Sequence, residues 1–382
     1  MKKRSKEFYR RNVGGVDVLL TEDPKTKAKV AKCARAKKAI GWSVLGALIF
    51  VFVLNIIILP LTGNLARVPS VSSYEGDNKY IAFDSPEGVM LSAHRAGGDL
   101  APEETLSAFK LCMDATDYRV DIVEFDLHLT ADGHLVLMHD HEVDRTSNGV
   151  EVFGKKGVKI CDKTLAELKT LNFGYNFKDL DGNYPYRDLP EDQVPDDVRI
   201  LTLEEILTYL EDRRPEKDLH YVIEIKDKGN IGKEAMDKLY DAMDRHGILE
   251  RTIVGTFNGD ITKYIDDNYK GRVVRSAGIA EVLNFYYAFL WGVKPNVEKL
   301  GFRVLQIPMG LTDKFFNLSS EAFIDYAHTY GFAVQYWTIN DPNDVRKLLL
   351  NGADTIMTDN PAMAYEVIYE LLQSGVIGGA RM

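Results

Sequence analysis

The sequence predicts an α/β protein, a (β/α)8 barrel with a β-hairpin insertion, preceded by a single N-terminal transmembrane helix. Three features lead to this prediction: an uncharged apolar segment near the N-terminus, alternating strand-like and helix-like segments from about residue 88 onward, and one tight turn between two of the strand-like segments. The length of 382 residues suits one large domain with an appendage. A hydrophobic content of 45% excludes a predominantly disordered chain, and a mean hydropathy of −0.19 excludes a polytopic membrane protein.

The apolar segment is long enough to cross a membrane. Residues 39–66 contain no charged side chain, and Ala39–Thr62 consists mostly of Leu, Ile, Val and Phe. At about 1.5 Å per residue, a helix of this length crosses a hydrocarbon core of roughly 30 Å. A buried helix is a poor alternative because the segment has no polar face. A cleaved secretory signal normally has a shorter apolar region behind a shorter basic segment, so we interpret residues 39–62 as an uncleaved signal anchor.

Charge is distributed unevenly along the chain. Residues 1–38 contain 13 Lys or Arg and four Asp or Glu, so the other 344 residues carry a net charge of −19. The positive-inside rule then predicts a single-pass protein of the cell membrane, with residues 1–38 in the cytoplasm and the acidic part outside. A strongly acidic domain is a poor partner for nucleic acid. The three cysteines show no C-x-x-C spacing, which argues against a zinc knuckle or a disulfide scaffold.

After a polar linker at residues 63–85, strand and helix patterns alternate over residues 86–382. The strand candidates are MLSAHRA, DIVEFDLHLT, HLVLMHD, HYVIEIK, RTIVGTF, RVVRSAG, RVLQIPM, FAVQYWTI and DTIMTD. Only Ala131-Asp132-Gly133 separates the second candidate from the third, so this pair is predicted to be a hairpin. Eight strand–helix units remain, which is the number in a (β/α)8 barrel. An open doubly wound sheet is the alternative, but no G-x-G-x-x-G follows the first strand.

Polar side chains cluster at the carboxyl ends of the predicted strands, where barrels place their functional residues. Glu124 and Asp126 share one face of a strand, and Glu224 and Lys226 share a face of the next barrel strand. Three converging carboxylates repel one another unless a cation lies between them, and oxygen ligands suit Mg²⁺ or Ca²⁺.

The other strand ends carry His94-Arg95, His139-Asp140-His141, Trp337-Thr338 followed by Asn340, and Thr358-Asp359. Arg95 and Lys226 suit an anionic group such as a phosphate. His94 and His139 can exchange protons near neutral pH. A single histidine at a strand end is more often structural; it is the coincidence of these groups that indicates phosphoester cleavage.

The motifs that contain these residues resemble the glycerophosphodiester phosphodiesterase family over about residues 88–382. The resemblance rests on ordered fragments, which are HRAGG with APEET, VEFDLHLTADGHLVLMHD, DRTSNG, TLAEL, LTLEEIL, VIEIK, YWTIN and GADTIMTDNP. It implies a TIM barrel and metal-dependent hydrolysis of glycerophosphodiesters to glycerol 3-phosphate and an alcohol. It also implies roles for individual residues: metal ligands at Glu124, Asp126 and Glu224, an acid/base pair at His94 and His139, phosphate binding at Arg95 and Lys226, and supporting positions at Glu103 and Trp337.

The chain departs from the family pattern in some loop positions. Ala96 replaces a usual glycine, which costs roughly 1 kcal/mol if its φ is positive. Glu104 replaces a usual asparagine. These differences concern loop shape and substrate preference rather than the reaction class.

The sequence is compatible with more than one substrate. The aromatic segment Leu283–Trp291 is either a helix packed on the barrel or an apolar rim for an acyl chain or the bilayer surface. The alternatives to a soluble glycerophosphodiester are phospholipase D-like cleavage of lysophospholipids or sphingolipids, and hydrolysis of a glycerophosphate polymer. A catalytically silent scaffold is disfavoured because every expected functional residue is present.

Overall fold

In the computed structural model, the described residues are 8–13, 16–21, 43, 45–46, 49–50, 76–82, 88–216, 218–312 and 315–377. The chain divides into two units, Met1–Thr62 and Gly63–Met382. In the first unit, Phe8–Val13 pairs antiparallel with Val16–Thr21. Most of the predicted membrane anchor, residues 39–62, and most of the predicted linker lie outside the described residues. No helix within the described ranges has the length and apolar character needed to cross a membrane.

The second unit is a nearly closed parallel barrel, as the sequence predicted. Its eight strands are, in chain order, Met90–Ala93, Ile122–Leu129, His220–Ile225, Thr252–Gly255, Val274–Arg275, Val304–Ile307, Ala333–Tyr336 and Thr355–Thr358. Neighbours in sequence are neighbours in space, and the last strand pairs in parallel with the first, with Thr358 opposite Ala93. The short fifth strand meets the sixth through a single bridge between Ser276 and Val304.

The predicted hairpin is confirmed. Leu135–Leu137 pairs antiparallel with the second barrel strand, with Leu127 opposite Leu137. Two strand pairs were not predicted: Phe8–Val13 with Val16–Thr21 in the first unit, and Gly310–Thr312 with Phe315–Asn317, which are antiparallel and follow the sixth barrel strand.

A helix follows each barrel strand in the described part of the chain. These helices are Leu106–Asp114, Leu203–Arg213, Gly229–His246, Gly259–Asn268, Ile279–Leu290, Glu321–Thr329, Pro342–Leu350 and Pro361–Gln373. The insertion after the hairpin adds the short helices Gly149–Phe153 and Leu165–Leu168. Local sequence explains several helix starts. Thr202 forms a capping box with Glu205, and Pro342 and Pro361 occupy first-turn positions where no backbone donor is needed.

The base of the barrel is closed by residues that precede the first strand. Tyr80, Ile81 and Ala82 pack against the first residues of several strands, including Met90 and Ile122. Part of the segment predicted to be a linker therefore belongs to the barrel's packing. With the amino end of the barrel filled in this way, the opposite end is the one left open for a site.

The aromatic segment packs as a helix on the barrel. Phe285, Tyr286 and Phe289 are buried in the main core, where Phe285 lies 5.2 Å from Phe332 between ring centroids. The hypothesis that these three side chains form a lipid-contacting rim is therefore wrong. Trp291, at the end of the same segment, is 65% exposed.

Candidate active site

A polar cavity of about 100 Å³ opens at the carboxyl ends of the strands. It is lined by eight of the nine residues selected from the sequence, namely His94, Arg95, Glu124, Asp126, His139, Glu224, Lys226 and Trp337. The ninth, Glu103, lies behind Arg95 and accepts a hydrogen bond of 3.2 Å from its guanidinium group. The barrel thus brings together side chains separated by up to 243 positions in sequence.

Three carboxylates are buried around the cavity. Asp126 is 1% exposed, and Lys226 Nζ lies 3.1 Å from both Asp126 Oδ1 and Glu224 Oε1. Burial, followed by the charge of Asp126, raises the pKa of Glu124 to about 7 and that of Glu224 to about 8. Burial opposes ionisation of Asp126 as well, but Lys226, His139 and Arg95 hold its pKa below the usual value. Asp126 is therefore the most readily ionised of the three carboxylates, whereas burial and the charge of Asp126 oppose ionisation of Glu124 and Glu224.

These carboxylates fit a hard divalent cation. Asp126 Oδ1 pairs with the Lys226 ammonium, and the buried Asp126 Oδ2 has the Arg95 guanidinium nearby, 3.9 Å away at Nε. Three buried carboxylates that face one cavity are costly unless cations compensate them, and oxygen-only ligands match Mg²⁺ or Ca²⁺. In the structure the Lys226 ammonium occupies the space between Asp126 and Glu224.

His94 is oriented by a carboxylate from the other end of the chain. Its Nδ1 lies 2.6 Å from Asp359 Oδ1, and Asn340 donates a 2.7 Å hydrogen bond to the second oxygen of Asp359. His94 Nε2 is left on the side of Glu124, 4.0 Å from its Oε2. Burial lowers the pKa of His94, but the charge of Glu124 and the hydrogen bond to Asp359 outweigh burial and raise the pKa above its ordinary value.

His139 is held in a similar way. Its Nδ1 lies 2.7 Å from Asp140 Oδ1, and Arg145 donates a 2.6 Å hydrogen bond to Asp140 Oδ2. Both histidines thus use Nδ1 for a carboxylate, which fixes the ring and leaves Nε2 for a reacting group.

Arg95 sits in a strained turn. It adopts φ 49°, and Ala96 follows at φ 61°, so the alanine does occupy a conformation that favours glycine. The turn directs the backbone N–H of Arg95 to Glu124 Oε2, at 2.8 Å. The strain thereby positions a carboxylate of the site and places the guanidinium group at the cavity wall.

Several residues that hold the histidines and carboxylates of the cavity had no role assigned from the sequence. Asp140, Arg145, Asn340 and Asp359 lie within the quoted motifs, but their spacing gave no sign of which histidine each would contact. Glu104 is buried and accepts a 2.6 Å hydrogen bond from the backbone N–H of Asp126. Burial and the charge of Asp126 raise the pKa of Glu104 well above its usual value. A protonated Glu104 is neutral, as the asparagine typical of this position would be.

A second group of potential metal ligands lies in a different place. His128, His141 and Asp227 each offer one ligand atom, and these atoms lie within 4.8 Å of one another. None of the three lines the cavity described above. From the sequence, His128 was interpreted as a structural residue and His141 as a minor candidate because it is close to His139, and Asp227 was given no role.

Comparisons with known proteins point to one enzyme family. The model of the glycerophosphoryl diester phosphodiesterase family matches residues 94–363. A glycerophosphodiester phosphodiesterase of Caldanaerobacter subterraneus is 29% identical over 287 residues, which cover 75% of this chain and 99% of that relative. A glycerophosphodiester phosphodiesterase of Bacillus subtilis is 25% identical over 291 residues, covering 74% of this chain and 87% of the relative.

Solved structures share the fold. A glycerophosphoryl diester phosphodiesterase domain from Mycobacterium tuberculosis superposes with a TM-score of 0.58 at 21% identity, covering 73% of this chain and 98% of that one. A phosphodiesterase of Oleispira antarctica, solved with the product sn-glycerol-3-phosphate, gives a TM-score of 0.54 at 22% identity, covering 73% and 96%. With the family model matching well over half of its length, this chain belongs to the glycerophosphoryl diester phosphodiesterase family of enzymes.

Proposed function

We propose that the protein hydrolyses glycerophosphodiesters to glycerol 3-phosphate and an alcohol, with His94 and His139 as the acid/base pair. One observation carries this proposal: two histidines, each held at Nδ1 by a carboxylate, line one cavity with two basic side chains and three buried carboxylates. Proton exchange and charge neutralisation at a phosphate need this combination.

The residues of the cavity have different roles, which follow from their chemistry. Arg95 and Lys226 neutralise the phosphate oxygens, and Glu103 orients Arg95. One histidine accepts the proton of a neighbouring glycerol hydroxyl as that oxygen bonds to phosphorus. The other histidine donates a proton to the alcohol oxygen as its bond to phosphorus breaks, which leaves a cyclic glycerol phosphate. In a second step the now neutral histidine takes a proton from water as the water oxygen bonds to phosphorus, and the first histidine returns its proton to the glycerol oxygen as the ring opens to glycerol 3-phosphate.

Glu124, Asp126 and Glu224 would hold one divalent cation, Ca²⁺ or Mg²⁺. When bound, the cation supplies positive charge to the phosphate in the transition state. Asp126 is the anchor of this group because its carboxylate is buried and is the most readily ionised of the three. An extracytoplasmic location favours Ca²⁺.

The names of relatives support the substrate. The Caldanaerobacter relative is named as a glycerophosphodiester phosphodiesterase, and the Oleispira structure holds sn-glycerol-3-phosphate as its product. The small, polar cavity suits a glycerophosphate group, with the alcohol directed toward the opening.

The test is release of glycerol 3-phosphate from glycerophosphocholine by the full chain. Activity is measured after chelator treatment and again with Ca²⁺ or Mg²⁺ restored. His94→Ala and Glu124→Gln are expected to lower kcat at least about 100-fold. His134→Ala is the matched control, because His134 is an exposed histidine that does not line the cavity. Full activity in His94→Ala, or in chelated enzyme, would refute the proposed mechanism.

One observation favours a lipid as the alternative substrate. Phe257 lines the cavity, is 48% exposed, and lies 5.7 Å from Trp337 between ring centroids. This apolar pair can contact an acyl chain that leaves the cavity. Product analysis separates the possibilities: glycerol 3-phosphate arises from a glycerophosphodiester or a glycerophosphate polymer, whereas a lipid phosphate arises from phospholipase D-like cleavage.

We further propose that residues 39–62 anchor the enzyme in the cell membrane, with the barrel outside. The support is the charge-free apolar segment and the excess of basic residues before it. Protease treatment of intact cells tests the orientation. Degradation of the barrel in intact cells is expected, and protection until the cells are lysed would contradict it.

A further inference from the structure

His128, His141 and Asp227 come from three segments that meet beside the cavity. His128 lies near the end of the second barrel strand, His141 follows the hairpin arm, and Asp227 follows the third barrel strand. His128 Nδ1 lies 2.8 Å from Asp227 Oδ1, and His141 Nδ1 lies 3.9 Å from the same oxygen. The two imidazole ring centroids are 4.7 Å apart.

The burial of the three side chains is unequal. His128 and Asp227 are buried, whereas the side chain of His141 is 61% exposed. The group is therefore rigid on its inner side and open to solvent at His141. An ion can enter from that side without unfolding the barrel.

One ring nitrogen remains unexplained by the protein alone. His128 Nε2 is buried and has no hydrogen-bond partner among the described residues. The other ring nitrogen, His128 Nδ1, faces Asp227 Oδ1, while Asp227 Oδ2 accepts a 2.8 Å hydrogen bond from the backbone N–H of Leu129. A cation bound between the three side chains would take the place of the proton between His128 Nδ1 and Asp227 Oδ1.

We propose that His128, His141 and Asp227 bind a transition-metal cation of the zinc type. Two imidazole nitrogens and one carboxylate oxygen are ligands that Zn²⁺ accepts in sites with three protein ligands and one water. Ligand atoms around tetrahedral zinc are separated by roughly 3.3 Å, since each lies about 2.0–2.1 Å from the metal. The separations to Asp227 Oδ1 are 2.8 and 3.9 Å, and all three ligand atoms lie within 4.8 Å of one another, so the exposed His141 side chain would move toward the other two around a bound ion.

This site differs in chemistry from the carboxylate cluster of the cavity. Glu124, Asp126 and Glu224 offer oxygen ligands alone, which favour Mg²⁺ or Ca²⁺. The histidine-containing site favours a softer ion. The two sites therefore discriminate between cations and can be loaded separately.

Metal binding would connect the two segments that carry active-site residues. His141 lies two positions after His139, and Asp227 directly follows Lys226. Asn258 already holds the second segment, because its side-chain amide donates to the carbonyl oxygens of Lys226 and Asp227 at 2.9 and 3.2 Å. A bound ion would fix the first segment to it and so stabilise the arrangement of His139 and Lys226.

The test compares zinc binding by the full wild-type chain, His141→Ala and His134→Ala. Each protein is stripped with a chelator and equilibrated with excess Mg²⁺, so that the oxygen-only cluster is supplied with its preferred type of ion. Zn²⁺ is then titrated against a chromophoric competitor, and the zinc retained after gel filtration is counted. His141 is exposed, so its removal leaves the fold intact, and His134 controls for loss of an exposed histidine of the same hairpin.

We expect wild type and His134→Ala to retain one more equivalent of zinc than His141→Ala. Loss of a direct ligand should weaken zinc binding at least about 100-fold, since loss of an outer-shell partner alone typically weakens it 10- to 100-fold. Zinc should also raise the thermal midpoint of wild type more than that of His141→Ala. Equal zinc stoichiometry and affinity in all three proteins would overturn the proposal, as would the lack of tight zinc binding by wild type.

Discussion

Replacement of Asp359 by asparagine tests how the charge of Asp359 sets the pKa of His94. Asp359 Oδ1 lies 2.6 Å from His94 Nδ1, and Asn340 fixes the second oxygen. Asparagine has nearly the same shape and keeps a hydrogen-bonding oxygen, but it carries no charge. Asp359→Asn therefore removes the electrostatic support of the imidazolium while leaving the ring in place.

The size of the effect follows from this contact. A hydrogen bond to a charged group contributes about 1.5–3 kcal/mol, whereas a neutral one contributes about 0.5–1.5 kcal/mol. The difference of about 1–1.5 kcal/mol corresponds to roughly one pKa unit at 1.36 kcal/mol per unit. Because Asp359 raises the pKa of His94, its neutralisation lowers that pKa. The limb of the pH–rate profile that reports His94 should move to lower pH by about one unit, whether His94 acts as acid or base.

The assay is the pH dependence of kcat and kcat/KM for glycerol 3-phosphate release. The expected result is that the limb reporting His94 moves to lower pH by about one unit. Asp99→Asn is the matched control. The exposed Asp99 lies next to Asp359, with its backbone N–H bonded to the carbonyl oxygen of Asp359, but makes no hydrogen bond to His94. An unshifted profile in Asp359→Asn, or the same shift in Asp99→Asn, would refute the reasoning.

Three further predictions concern stability, measured by chemical denaturation followed by circular dichroism. Tyr80→Ala should lower the free energy of unfolding by about 3–5 kcal/mol, because the buried ring helps to fill the barrel base; a loss close to zero would mean that residues 76–82 are dispensable. Thr202→Ala should cost about 1 kcal/mol through loss of a helix cap, whereas Thr116→Ala, at an exposed position, should cost little; equal effects would contradict the capping argument. His328 is buried against Asp354 at 2.8 Å, and although burial lowers its pKa, the Asp354 charge raises it above the ordinary 6.5. The ion pair between His328 and Asp354 contributes fully to the free energy of unfolding below pH 6.5, and this contribution is lost as the pH rises through the higher native pKa of His328. His328→Gln should therefore flatten the decline of stability over that pH range. An unchanged slope would exclude this pair as the source of the decline.

The barrel could be predicted from the sequence because each strand and helix is indicated by a pattern of neighbouring residues. Most strands are short runs rich in apolar and β-branched residues, and several helical segments end in glycine, as at Gly247. The hairpin followed from a three-residue turn. The short strands at Gly310–Thr312 and Phe315–Asn317 were missed because three-residue segments show no clear period.

The residues of the cavity were also found from local patterns. Polar side chains that interrupt apolar strands at their carboxyl ends point to one end of a barrel, whatever their separation in the chain. The burial of Phe285, Tyr286 and Phe289 could not be found in this way, because an all-apolar helix pattern does not say which face meets the core.

By itself, the sequence determined the order of strands and helices and the chemical types gathered at the mouth of the barrel. Only the tertiary structure decided which groups touch. The bond between His94 and Asp359 spans 265 positions, and that between His128 and Asp227 spans 99. These contacts exist because the last strand pairs with the first and the second with the third, which brings distant strand ends within hydrogen-bond reach. Propensity and periodicity act over a few residues, whereas barrel closure sets contacts between residues far apart in the chain.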